Sequence, residues 1–411
     1  DYAKKVYSFV EGLISDGTCI SSKTVGEGGI ALAISSMSAG NSIGIALSPS
    51  LDKKEYFKPY HGSFVVELSN SRVIDFKGLD AIYLGDTLEE ELIGLEGGSI
   101  PIDEIIEAWS KPLSKVFPEK TKDDKKEAVN IKLSHFKPYS SSFNIARPRV
   151  LIPVFPGTNC EYDSQKAFEA AGGEVLPLVI RNLDIKGLEA SLKEMAESIM
   201  KSQIIMIPGG FSAGDEPDGS GKFIAAIFRN PYVSEAVRHM LDKNDGLILG
   251  ICNGFQALVK LGLLPYGEIR EMTDESPTLT YNRIGRHVSL MTDIRVVSNK
   301  SPWLMNSKPG DIYTVPVSHG EGRFIANEAA LSQLVANGQI ATQYVDEKGE
   351  PTMLSPYNPN GSVMAIEGIT SPDGKIFGKM GHSERRGEFL YKNIPGNKYH
   401  RIFESGVEYF T

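Results

Sequence analysis

The chain has 411 residues, with 43 Lys+Arg against 52 Asp+Glu, a formal net charge of −9 and 41% hydrophobic residues, which fits two or three globular domains at roughly 150 residues each. This acidic balance and the lack of any Lys/Arg-rich stretch argue against a nucleic-acid or anionic-membrane surface, since both partners require a concentrated positive field. No run approaches about 18 consecutive apolar residues and no apolar signal core opens the chain. Three cysteines, Cys19, Cys160 and Cys252, are too few for a secreted disulfide scaffold, so a cytoplasmic location is expected, with one cysteine available as a nucleophile. Because the first residue is Asp1 rather than Met, a processed product or a piece of a longer chain is expected.

An amphipathic helix is predicted at the start, where Tyr2, Val6, Phe9, Val10, Leu13 and Ile14 share one 3.6-period face, with Gly12 and Asp16-Gly17 ending it. A short helix over Ile30–Met37 follows, then strands at Ile43–Leu47, Phe64–Leu68 and Ala81–Leu84, and a helix at Ile102–Trp109. This is an α+β pattern. Glu119–Glu127, with eight of nine residues charged and no net sign, reads as a solvated helix face. The stretch from Pro138 to Pro148 combines serines with prolines that cannot continue a helix, and predicts a first domain over 1–137, a linker over 138–147 and a second domain over 148–411.

Beyond the linker, strands and helices alternate. Strands are predicted at Arg149–Phe155, Glu174–Ile180, Ile204–Ile207 and Gly246–Gly250. Helices are predicted at Ser164–Ala171, Leu188–Lys201, Lys222–Phe228, Ser234–Leu241 and Asn253–Leu261. Such alternation gives a mostly parallel sheet flanked by helices, with ligands at the carboxyl ends of its strands.

Gly250-Ile251-Cys252-Asn253-Gly254 lies between an apolar strand and a helix and matches a nucleophile elbow with sulfur in place of the hydroxyl. A helix N-terminus favours the thiolate; the alternative is a structural cysteine at a tight turn. The second glycine-rich strand end, Pro208-Gly209-Gly210-Phe211-Ser212, falls at the same sheet edge. Its N–H groups at Gly210 and Phe211, with that of Asn253, are candidates for an oxyanion hole. Cys160 also follows a strand and precedes a helix, but lacks the Gly-x-Cys-x-Gly frame; packing or substrate contact is the expected role.

Among seven histidines, two stand in His-x-Glu: His319-Gly320-Glu321 and His382-Ser383-Glu384. Residues two apart in extended chain point the same way, so either Glu could orient its imidazole. Spacing leaves both open. His382 is favoured because it follows a predicted strand, Lys375–Gly378, and opens the last helical region, whereas glycines 320 and 322 make the first copy a flexible loop. Gly219-Ser220-Gly221-Lys222 imitates the end of a phosphate-binding loop, but Glu216 and Phe223 stand where that motif needs Gly and Ser/Thr.

Gly250–Gln256, Pro208–Ser212 and His382-Ser383-Glu384 together resemble the triad glutamine amidotransferases. Pro156–Glu161, Gly210–Asp215, Pro316–Arg323 and Asn358–Ser362 look like the glutaminase part of the large phosphoribosylformylglycinamidine synthases. That resemblance covers about 148–411. Residues 1–137 resemble the second half of an aminoimidazole-ribotide-synthetase-like unit. The resemblance implies a class I amidotransferase, flavodoxin-like fold behind a smaller α+β domain, and an ATP-dependent, glutamine-hydrolysing amidoligase of purine synthesis. It implies Cys252 as nucleophile, His382 as acid–base group, Glu384 as its orienting carboxylate, and Gln256, Ser318, His319 and Glu321 lining the glutamine pocket. No metal or cofactor is expected in the glutaminase domain; ATP and Mg²⁺ would serve the full synthase, whose upstream portion is the expected partner. Ser383 departs from the proline common between His and Glu. Alternatives from other classes are a cysteine-elbow hydrolase of small esters and a noncatalytic docking module. Residues 1–137 offer no complete nucleotide site, so this chain alone is expected to perform only the glutaminase half-reaction.

Overall fold

The structure is a computed structural model that describes residues 1–49, 51–69, 74–116, 118, 128–137, 141–211 and 221–411. The charged run 119–127, residues 138–140 of the expected linker, Ser212–Asp215 and the Gly219-Ser220 pair lie outside the described residues. Two compact units divide the chain, Asp1–Pro118 and Glu119–Thr411.

In the first unit, α1 (Tyr2–Ser15), β1 (Cys19–Thr24), α2 (Gly29–Asn41), β2 (Gly44–Leu47), β3 (Phe64–Leu68), β4 (Gly85–Leu88), β5 (Leu92–Leu95), β6 (Gly98–Pro101) and α3 (Ile102–Ser110) surround a small core. That core is Val25, Ile30, Ala33, Ile34, Tyr56, Val65 and Ile93. One sheet pairs β1 with β3, and a second has the order β4-β2-β5-β6. Helix α1 runs through Gly12 and buries only Val10 and Leu13, since a single helical glycine costs about 1 kcal/mol and packing overrides it. The strand expected at Ala81–Leu84 forms instead at Gly85–Leu88, where the backbone pairs with β2.

The second unit contains β7 (Arg149–Val154), α4 (Glu161–Ala170), β8 (Glu174–Val179), α5 (Ile185–Met200), β9 (Ile204–Ile207), α6 (Lys222–Phe228), α7 (Pro231–Lys243), β10 (Leu247–Ile251), α8 (Asn253–Leu261) and α9 (Leu263–Tyr266). It continues with β11 (Thr278–Tyr281), β12 (Val288–Val296), β13 (Ile312–His319), β14 (Glu321–Ile325), α10 (Glu328–Ala336), β15 (Ile340–Val345), β16 (Ile366–Thr370), β17 (Ile376–Lys379) and α11 (Ile402–Glu408). Local chemistry starts several of these helices: Asp184 caps α5 by accepting from the Gly187 N–H, and Asn230 caps α7 ahead of Pro231.

Nine strands form one sheet in the order β13-β12-β15-β16-β17-β10-β9-β7-β8. From β17 to β8 the neighbours are parallel, and from β13 to β17 they are antiparallel. The sheet is therefore mixed rather than mostly parallel. Strands β9, β10 and β17 are buried along their whole length, as expected where both faces are covered.

The domain boundary also moves. Residues 128–137, expected in the first domain, pack on the second unit: Ile131 enters its core, Ser134 bridges Ser298, and Asn130 Oδ1 accepts from Arg295 Nη2 at 2.8 Å. Burial of Ile131 and pairing of these polar groups outweigh the local composition that marked the linker further on.

Helix α8 lies against β9 so closely that a Cβ on Gly254 would stand 2.0 Å from the Ile207 carbonyl oxygen. Gly254→Ala should therefore destabilise the second unit by about 1–3 kcal/mol, since backbone must shift to admit the methyl. The urea midpoint measures it, and a variant with wild-type stability would show that this approach is looser than described.

Candidate active site

Four neighbouring parallel strands deliver the site. The carboxyl end of β10 carries Cys252, that of β9 leads into Gly209 and Gly210, that of β7 into Cys160, and that of β17 into His382 and Glu384. Cys252 has φ +52° and ψ −106° and stands at the N-cap of α8. A non-glycine residue in that region stores about 1–3 kcal/mol of strain unless its surroundings impose it. They do: the Cys252 N–H donates to the Lys379 carbonyl at 2.9 Å, and β10 is locked between β9 and β17. The elbow glycines serve close approach rather than the turn itself, because a Cβ on Gly250 would meet Leu258 and the Gly254 backbone at 2.5–2.8 Å.

His382 and Glu384 are fully buried and joined through Nδ1···Oε1 at 2.6 Å. Burial alone would lower the His382 pKa, but the Glu384 carboxylate outweighs it, with help from Cys160 and Cys252, and raises it well above the ordinary 6.5. Burial likewise pushes Glu384 up, and the His382 charge overcomes it and holds the carboxyl below its usual 4.5. Both shifts favour the charged forms, imidazolium and carboxylate. His382 Nε2 has no hydrogen-bond partner among the described residues. Open geometry between nucleophile and base is usual before substrate binds.

Cys160 also belongs to this cluster. Its Sγ lies 3.9 Å from His382 Nδ1, contacts Asn159 Oδ1 at 3.0 Å and accepts from Arg385 Nη2 at 3.1 Å. Among the described residues, Cys160, His382 and Glu384 form the one group with metal-ligand spacing, their donor atoms within 4.8 Å of one another. The Arg385 guanidinium at the sulfur disfavours a second cation there. Gly209 permits this crowding, since a Cβ would stand 2.8 Å from His382 Cε1 and 3.1 Å from Cys160 Sγ. Arg385 escaped the sequence reading, although its place directly after Glu384 was a usable signal.

The second His-x-Glu copy is built differently. His319 ends β13 and Glu321 begins β14, both buried, so the expected flexible loop is a tight corner between strands. His319 Nδ1 pairs with Asn282 Oδ1 at 3.1 Å and not with Glu321, and Nε2 is buried with no partner among the described residues. Burial, then the charges of His382 and His287, bring the His319 pKa down to about 3, leaving it neutral. Ser318 offers its carbonyl to Cys252 Sγ at 3.8 Å and its hydroxyl to His287 Nε2 at 3.0 Å. Gln256 is buried, donating to the Glu321 carbonyl and accepting from Asn253 Nδ2 at 2.9 Å. Ser318 thus meets the Cys252 sulfur, and Gln256, whose backbone N–H donates to the Cys252 carbonyl at 3.0 Å, ties Glu321 to the head of α8. One expectation fails: the Phe211 N–H, expected in the oxyanion hole, donates to the Gly157 carbonyl at 2.8 Å, because the loops after β7 and β9 pair through a Thr158–Gly210 bridge.

A cysteine at a strand-to-helix turn of this sheet, with a buried His–Glu pair in the turn that follows the adjoining strand, has the architecture of the class I glutamine amidotransferases. The chain belongs to the CobB/CobQ-like glutamine amidotransferase domain family, which matches residues 147–410. It is 35% identical over 287 residues to the phosphoribosylformylglycinamidine synthase subunit PurQ of Methanococcus maripaludis, covering 64% of this chain and 98% of that one. To the subunit of the same name from Aquifex aeolicus it is 34% identical over 243 residues, covering 59% of this chain and 93% of that one. Among solved structures, that of PurLQS from Thermotoga maritima aligns with a TM-score of 0.47 at 26% identity, over 64% of this chain and 100% of that one.

The charged pair gives a pH signature. His382, with a raised value, adds stability that is full below 6.5 and is lost as pH rises through its folded value; Glu384, with a lowered value, adds stability that is full above 4.5 and is lost as pH falls. Glu384→Gln should therefore reduce the melting temperature most between about pH 4.5 and 6.5, with the deficit shrinking in alkali as His382 loses its proton in the parent. A deficit growing with pH would mean that the imidazole is buried neutral.

Proposed function

We propose that this chain is the glutaminase component of a phosphoribosylformylglycinamidine synthase, releasing ammonia from glutamine for ATP-dependent amidation of formylglycinamide ribonucleotide in purine synthesis. The observation that carries the chemistry is Cys252, held in a strained conformation at the head of α8 beside a buried His–Glu pair. Family membership and the subunit relatives support the substrate and the pathway.

The Cys252 thiolate attacks the carboxamide carbon of glutamine, and the negative charge moves to the amide oxygen. N–H groups of Gly210 and Asn253 face that oxyanion; Phe211 would join them only by releasing Gly157. His382 gives its proton to the departing nitrogen as the C–N bond breaks, leaving ammonia and a glutamyl thioester. Water then attacks the thioester, His382 takes the water proton, and glutamate leaves as the thiolate is restored. Glu384 keeps the imidazole oriented and stabilises its charged form throughout. Gln256, Ser318, His319 and Glu321 shape the pocket. Within it, Gln256 acts through the backbone it ties together, since both ends of its amide are engaged.

Ammonia must then reach an acceptor activated by ATP and Mg²⁺ in a synthase partner. The name of the relatives, a synthase subunit, supports a partner of that kind. Residues ahead of 147 lie outside the family match; we read them as part of a synthetase-like unit, as in the large form of the enzyme, working in the cytoplasm as an amidoligase.

Cys252→Ala should abolish glutamate release from glutamine, whereas Cys160→Ala should retain a substantial part, because loss of Cys252 removes the covalent route. Mass spectrometry after exposure to a diazoketone analogue of glutamine provides the direct check: label on Cys160 with Cys252 spared would overturn the assignment, and turnover of small esters with no glutaminase activity would favour a hydrolase. Addition of the synthase partner with ATP and formylglycinamide ribonucleotide should raise glutamate release, because occupancy of an acceptor site commonly closes the ammonia-donating one. An unchanged rate would count against coupling.

A further inference from the structure

Behind the turn that carries His382 and Glu384 lies a set of buried charges that this reaction does not consume. Lys379 closes β17 in the run Ile376-Phe377-Gly378-Lys379-Met380 and is 0% exposed. Removing an ammonium from water costs several kcal/mol unless its protons all find acceptors. Here they do. Nζ donates to the Gly381 carbonyl at 2.6 Å and to Ser383 Oγ at 3.0 Å, and it lies 3.2 Å from Glu367 Oε1. Glu367, on β16, also accepts from the Gly381 N–H at 2.7 Å and from the Thr342 hydroxyl at 2.5 Å.

The placement of these bonds is specific. Gly381 and Ser383 flank His382 in the chain, so the pair holds the backbone of the residue before it and the side chain of the residue after it. The His382 N–H donates to the Pro316 carbonyl at 2.9 Å and the Ser383 N–H to the Gly381 carbonyl at 3.2 Å, so each backbone donor from 381 to 383 is engaged. The main-chain carbonyl of the same Lys379 accepts the Cys252 N–H at 2.9 Å. One residue thus ties the nucleophile with its backbone and the acid–base turn with its side chain.

We propose that Lys379, supported by Glu367, is a positioning residue of the glutaminase site: it sets His382 relative to Cys252 by gripping Gly381 and Ser383, and the Ser383 hydroxyl is its handle. The proposal rests on the assignment of Cys252 and His382 as the reacting groups. A purely structural ion pair predicts variants that lose stability and substrate affinity along with rate. A positioning pair predicts loss in the covalent step with binding preserved, since small misplacement of a catalytic group costs up to about a hundredfold.

The test uses the full chain and the diazoketone analogue of glutamine, measuring the limiting rate of Cys252 labelling and the concentration giving half that rate, beside melting temperature. Ser383→Ala should slow the limiting rate on the order of tenfold and leave the half-saturating concentration within about twofold. Lys379→Met combined with Glu367→Gln removes both charges, so neither is left buried alone, and should slow labelling by about tenfold to a hundredfold. Ser383 Oγ also lies 3.3 Å from His400 Nδ1, so adding Ser383→Ala to that double variant should slow labelling by much less than it does in the wild-type chain, because most of the hydroxyl's effect runs through Lys379. Wild-type labelling rates in the folded double variant, parallel changes in rate and half-saturation, or full additivity of Ser383→Ala would overturn the positioning role. Should the double variant fail to fold, Ser383→Ala alone decides, with an unchanged limiting rate refuting the proposal. A wild-type chain that takes no label at Cys252 would overturn the glutaminase assignment, and this role with it; labelled wild type with indifferent variants overturns only the role of Lys379.

Discussion

The site depends on the main-chain bond between Cys252 and Lys379. It fastens the residue following β10 to the last residue of β17, and so converts a register between two parallel strands into a fixed relation between a thiol and an imidazole. Strain at Cys252 is tolerable because each neighbouring element is separately anchored: β10 by strands on both sides, α8 by its close seat against Ile207. Relaxing φ at Cys252 would require lifting the helix or breaking that bond, and a stranded buried donor costs about 1–3 kcal/mol, which is comparable to the strain such a residue stores.

Electrostatics distinguish two motifs that are alike in sequence. His382 and His319 are each two residues before a glutamate, both buried, and their proton affinities move in opposite directions. The difference lies in backbone geometry. At 382–384 the chain lets the carboxylate fold back onto Nδ1, whereas at 319–321 it passes from β13 into β14 and Asn282 takes Nδ1 instead. A carboxylate at the imidazole makes a charged acid; a neutral amide in the same position leaves a neutral ring, suited to lining a pocket.

The parallel half of the large sheet was legible because its signals are local. Ile204–Ile207 and Lys222–Phe228 appear where periodicity predicts them, and Gly-x-Cys-x-Gly marks the elbow through steric needs confined to a few residues. The antiparallel half was not legible: β12, β13, β15 and β16 are specified by pairing between distant segments, which no short window records. At the site, the nucleophile and the His–Glu pair were readable from spacing. The engagement of the Phe211 N–H by Gly157, and the arrival of Cys160 beside His382, depend on loops from different strands meeting at one edge. Lys379 did carry a visible signal, a lone charge in a buried strand, whose meaning required its three acceptors.

Residues 128–137 bear on how far the amidotransferase unit is portable. Val129 offers its carbonyl to Gln343 Nε2 at 3.0 Å, Asn130 takes the Arg295 guanidinium, and Phe136 N–H donates to Asn299 Oδ1 at 2.8 Å, with Ile131 buried between them. These contacts brace β12 and β15 from outside the borders of the family match, which begins at residue 147. A gene fusion that grafted residues 147–410 alone onto another synthetase would carry the catalytic edge intact but leave Arg295 and Gln343 short of partners at the opposite end of the sheet. The transferable module, in the sense relevant to recombination or domain shuffling, therefore begins with residues 128–137 and not at the recognisable homology.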